Sequence, residues 1–112
     1  MTESDAQARL SARIRRLLAD RDVSERSMFG GRSFLVDGSI AVAARRDGEL
    51  LVRVDPDRRT ELQSRAGAGP ARMGEREMGD SWLCVRAGAV VTDESLRAWI
   101  AEGVEASRHE QV

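Results

Sequence analysis

Few side chains in this sequence are equipped for chemistry, and their settings narrow the options. The one histidine, His109, sits in a polar stretch close to the end of the chain, where neither precise positioning nor desolvation is expected, so a histidine-based catalytic site is set aside. Cys84 is the single cysteine, which leaves no intrachain disulfide and no multi-cysteine metal site and fits a reducing compartment. A neighbouring arginine would lower its pKa and make it a nucleophile. Strand alternation, however, puts it on the face of Trp82, and a free cysteine there behaves as a small buried hydrophobe.

The remaining signals read the same way. Asp55 and Asp57 could be taken for a metal pair, yet Pro56 between them makes helix capping the more economical account. Gly67-Ala68-Gly69 lacks the lysine and serine of a phosphate loop and follows a helix rather than a strand. Gly30-Gly31, flanked by Arg26 and Arg32, has the makings of a backbone anion nest, but a sharp turn requiring positive φ explains the pair more simply. No catalytic, cofactor-binding or metal-binding residue is assigned, and the chain is expected not to be an enzyme.

Binding is what remains. Acidic and basic residues number 19 and 18, so the formal charge of −1 supplies no general attraction to nucleic acid or to anionic membrane, and any polyanion site must be a local patch. Every basic residue is arginine, as the codon usage of a GC-rich genome would produce. The segment from Gly67 to Gly79 mixes charge with adaptable thioethers, and Arg72, Met73, Arg76 and Met78 form the candidate surface for a protein partner, unless the methionines close the core. The alternative is nucleic-acid binding through Arg9, Arg13 and Arg16 on one flank of the first helix, joined by Arg58 and Arg59 if two helices lie together. The absence of tyrosine counts against that. A homodimer is expected only if a sheet edge or apolar strip is left uncovered.

The elements that must position these residues are legible in the periodicity. Ser4 and Gln7 have capping-box spacing, and Ala6, Leu10, Ile14, Leu17 and Leu18 recur at helical intervals, predicting a helix from about Asp5 to about Arg21. Short strands with turn signals follow from Arg26, with turns at Gly30-Gly31 and Asp37-Gly38. A three-residue loop Arg46-Asp47-Gly48, with Gly48 left-handed, aligns Ile40, Val42 and Ala44 with Leu50, Val52 and Val54 and sets Arg45 opposite Glu49. Asp55-Pro56-Asp57 starts a helix that should end near Ala66. Gly67 to Gly79 reads as a long loop or irregular hairpin, and a strand follows from Ser81 to Arg86. Thr92 or Asp93 caps a last helix carrying Leu96, Trp99, Ile100 and Val104, ahead of a polar tail.

At 112 residues, the expectation is one α+β domain, with an antiparallel β-sheet of meander and hairpins packed against an N-terminal, a middle and a C-terminal helix. Its core should span about 5–107. The acidic start and the lack of any long apolar run predict a cytoplasmic protein without a membrane segment.

Met28-Phe29-Gly30-Gly31, followed by Phe34, by Asp37-Gly38 and by Leu50-Leu51-Val52-Arg53-Val54-Asp55, resembles the N-terminal domain of the TfoX/Sxy family over about Ser24 to about Arg108. Met73, Arg76, Met78 and Trp82, then Asp93, Leu96 and Trp99-Ile100, are similar to its single-domain branch in GC-rich bacteria. That resemblance implies an α+β fold and a regulatory rather than catalytic role. Members with the full architecture carry a second, helical domain and act as competence regulators alongside the cyclic-AMP receptor protein; this sequence ends near the first domain's last helix. Where many members carry aromatic residues after the second helix, Pro70 is here followed by Ala71 and Arg72.

Overall fold

A computed structural model describes residues 4–28 and 31–110. The first helix, α1 (Asp5–Leu17), starts as its capping residues require: the Ser4 side chain accepts the Gln7 backbone N–H at 3.1 Å. Gln7 does not complete a reciprocal capping box. Its amide Nε2 instead donates to the Ala44 carbonyl at 2.8 Å in a buried bond that ties the helix to the sheet. The helix stops short of Arg21 because Asp20, Arg21 and Asp22 offer nothing to bury, while Val23 is drawn into pairing with Val36.

Four strands follow as an antiparallel meander: β1 (Val23–Met28), β2 (Gly31–Val36), β3 (Ser39–Arg45) and β4 (Leu50–Arg53). Asp37 and Gly38 both have positive φ, 52° and 90°, as a two-residue hairpin turn between right-twisted strands demands. The β3–β4 hairpin has the expected three-residue loop, with Gly48 at φ 85°, Ala44 opposite Leu50, and the Arg45 N–H donating to the Glu49 carbonyl at 2.9 Å. One alignment fails. A bulge shifts the β2–β3 register between Phe34/Val42 and Leu35/Ile40, so Ile40 leaves the face of Val42 and Ala44 and packs on the opposite side.

After β4, Asp55 caps a 3₁₀ turn (Pro56–Arg58) that leads into α2 (Arg59–Gln63). This helix is shorter than expected, because its last turn tightens into i to i+3 bonds from Ser64 and Arg65 before Ala66 is reached, and Gly67 at φ 83° then turns the chain back. Part of the expected loop is a strand, β5 (Ala68–Pro70). An arm made of β6 (Arg72–Met73) and β7 (Arg76–Glu77) follows, then β8 (Trp82–Val85) and α3 (Asp93–Glu110). The expected polar tail is helical as far as 110, because Val104, Ala106 and Ser107 continue the buried stripe.

The main sheet has the order β1-β2-β3-β4-β8-β5 and two differently covered faces. On one, Phe34, Val42, Leu50, Val52, Leu83 and Val85 meet Leu10 and Ile14 of α1 and Leu96, Trp99 and Ile100 of α3 in the main core. The other holds a smaller core of Ala43, Leu51, Ala71 and Trp82, flanked by Ile40, Met78 and Cys84. Among the described residues no helix is long and apolar enough to cross a membrane.

Candidate functional site

Antiparallel pairing brings chain segments far apart in sequence to one end of the sheet. Ala44, Leu50, Val85 and Ala68 form one row across four strands, so the β3–β4 loop, the residue after β8 and the approach to β5 are neighbours. Beyond that row lies an open groove of about 640 Å³, lined by Arg45, Arg46, Arg72 and Arg86, by Asp47 and Glu49, by β5 and by Cys84. Pro70 blunts the outer strand, since it has no N–H to offer a further strand.

The arm forms one rim. The Met78 N–H donates to the Ala71 carbonyl at 2.8 Å and closes its base, while Arg72 pairs with Glu77 and Met73 with Arg76. Gly74, at φ 66°, takes the first central position of the two-residue turn, where an L side chain would be strained. Every residue from Arg72 to Glu77 is exposed, and Met73 retains 44% of its surface. The two methionines therefore divide: Met78 packs on the second core, while Met73 points away from it.

Arg9, Arg13 and Arg16 lie on α1, as expected. Arg13 and Arg16 both reach Asp93 at the start of α3, at 3.3 and 2.6 Å, and Arg9 is exposed. Arg58 is held by Glu61 and Glu102, and α2 packs on β5 rather than beside α1, so the condition for a joint basic surface is not met. Of the glycine motif, Met28 ends β1 and Gly31 begins β2, whereas Phe29 and Gly30 lie outside the described residues. Gly31 serves close packing rather than a positive-φ turn: a Cβ there would lie 2.5 Å from the Ala44 carbonyl oxygen. Arg32, beside it, is paired with Glu25.

Glu25 also receives Arg15 at 2.6 Å. The hydrogen bond from Arg15 holds its carboxyl below the ordinary value of 4.5, against the opposing pull of partial burial and with help from Arg32. A carboxylate depressed in the folded state stabilises the fold above its unfolded pKa and loses that contribution as pH falls through the folded value. Thermal melts should show a melting temperature that declines below about pH 4.5, with a shallower decline for Glu25→Gln; equal slopes would mean the Arg15–Glu25–Arg32 contact contributes nothing.

Cys84 shares the second face with Trp82, as its spacing suggested, and its Sγ donates to Glu49 Oε1 at 3.1 Å. Burial, and then the Glu49 carboxylate, push the thiol up to about 12. Its thiolate fraction near neutral pH is about a thousandfold below that of an ordinary cysteine, so the native protein should resist iodoacetamide that modifies it readily once unfolded. Mass spectrometry reads this directly, and equal labelling rates in the two states would contradict the assignment.

Asp55 accepts the Asp57 N–H at 2.9 Å, the expected cap. Among the described residues no three His, Cys, Asp or Glu side chains gather as metal ligands, and the His109 side chain lies outside them. Arg86 carried no signal in the sequence, and Arg45 and Arg46 were legible only as hairpin residues, because their meeting depends on strand order.

A family model for the TfoX N-terminal domain matches residues 16–107. No curated protein and no solved structure matched the chain.

Proposed function

The chain belongs to the TfoX N-terminal domain family, and on that premise we propose that it is a non-enzymatic regulatory or adaptor domain acting through protein contacts, in transcriptional or competence-related control within the cytoplasm. The observation that carries this reading is the arm, which holds Arg72, Met73 and Arg76 away from both cores. A two-stranded ribbon of this size adds little to stability by itself, and a long exposed thioether beside guanidinium groups suits an adaptable protein contact.

The test compares partner capture by the tagged protein, by Met73→Ser/Arg76→Ala, and by Arg97→Ala on the exposed face of α3 as a control. Specific partners should be lost with the arm variant and retained with the control. An identical set of captured proteins for all three would remove the arm from the function.

A further inference from the structure

We propose that the groove between the arm and the end of the sheet receives an acidic peptide segment, whose carboxylates are taken up by Arg45, Arg72 and Arg86. This deepens the adaptor reading, on which it rests, by naming the chemistry of the partner.

Arginine usage carries the first step. Arg13, Arg15, Arg16, Arg32, Arg58 and Arg65 each have a carboxylate of the fold within ion-pair distance. Among the described residues none lies at that distance from Arg45, Arg72 or Arg86, and these three converge on one groove. Planar guanidinium forks pair bidentately with carboxylates, so three of them facing one space favour an anionic ligand.

The carboxylates on the wall are engaged locally. Asp47 Oδ1 accepts the Glu49 N–H at 3.0 Å, and Glu49 Oε1 accepts the Cys84 thiol. They temper the positive field, which opposes a dense polyphosphate more than separately placed carboxylates. The aromatic residues agree, because Phe34, Trp82 and Trp99 are buried and provide no platform for stacking bases. With Pro70 blunting β5, the peptide is held by side chains and not as an added strand.

The probe is a short fluorescein-labelled peptide of Glu, Gly and Leu, titrated by anisotropy against its Gln counterpart and against oligothymidylate of equal charge. The Glu peptide should bind about tenfold or more tighter than the Gln peptide, and Arg45→Gln/Arg86→Gln should lose about tenfold or more while Arg97→Gln keeps the parent affinity. Should the double variant melt well below the parent, Arg72→Gln on the exposed arm replaces it under the same criterion. Equal binding of the two peptides, unchanged affinity in the groove variant, or tighter binding of oligothymidylate would each overturn the proposal. Partner capture that depends on Met73 and Arg76 without any binding of the Glu peptide would leave the adaptor reading standing and this inference fallen. Glu-peptide binding that depends on Arg45 and Arg86, beside capture indifferent to the arm, would keep the groove as the peptide site and remove Met73 and Arg76 from the function.

Discussion

Trp82→Ala should destabilise the domain by about 3–5 kcal/mol and lower its melting temperature by about 15–25 °C. Trp82 is 7% exposed and is the largest member of the smaller core, where it meets Ala43, Leu51 and Ala71 on the sheet face that no helix of the main core covers. Neighbouring side chains on a sheet cannot collapse into the vacated space without bending strands that are paired on both sides. The ring also carries the Arg53 guanidinium 4.8 Å from its centroid, an attraction that an alanine side chain cannot supply. Trp82→Phe, which keeps an aromatic plane under Arg53, should cost far less. Ala71 and Met78 are the footing of the arm on this core, so the alanine variant should also expose the segment around 71–78 to proteolysis before the rest of the chain. A melting temperature within about 3 °C of the parent would mean that the second face is not a stabilising core.

The second large effect is one of sign. In an exposed helix, Gly→Ala stabilises by about 1 kcal/mol, so propensity alone predicts that Gly103→Ala would strengthen α3. The tertiary contact predicts the opposite. A Cβ at Gly103 would lie 2.4 Å from the Ala41 carbonyl oxygen and 2.9 Å from Val42 Cγ1, at the bulge of β3, and the first of these is backbone that cannot swing aside. Relieving the overlap requires α3 to lift from the sheet, loosening Ile100 and Val104 in the main core. Gly103→Ala should therefore be destabilising by about 1–3 kcal/mol despite its better propensity. Thermal melts decide it, and a melting temperature at or above that of the parent would show that helix and bulge are not in close contact.

Ion pairing shows how the same residue type was divided by the fold. Arg13 and Arg16 looked like part of a basic strip because they recur on one helix flank, but α3 brings Asp93 to them from 77 and 80 positions away. Exposed ion pairs of this kind contribute little stability, yet the single carboxylate of Asp93 offsets one of the strip's three positive charges and so weakens the field on which polyanion binding there would depend. Arg86 and Arg45, with no motif to mark them, were left facing the groove by strand order.

Local sequence determined the elements wherever one interaction range suffices. Ser4 before a helical stripe, Asp55-Pro56-Asp57, Asp37-Gly38 and the Arg46-Asp47-Gly48 loop each act through backbone conformation and hydrogen bonds within a few residues, so α1, the start of the second helical segment and both hairpins could be read directly. The methionines, glycines and arginines of the candidate site were visible only as types. Long-range packing decided the rest: the bulge that turned Ile40 to the other face, the joining of β5 to β8, the parting of Met73 from Met78, the clamp on Asp93, and the gathering of Arg45, Arg72 and Arg86. The reason is physical, because periodicity states that a side chain will be buried or exposed but not against which distant partner, and that choice is made when strand order and helix placement satisfy the backbone and the core together.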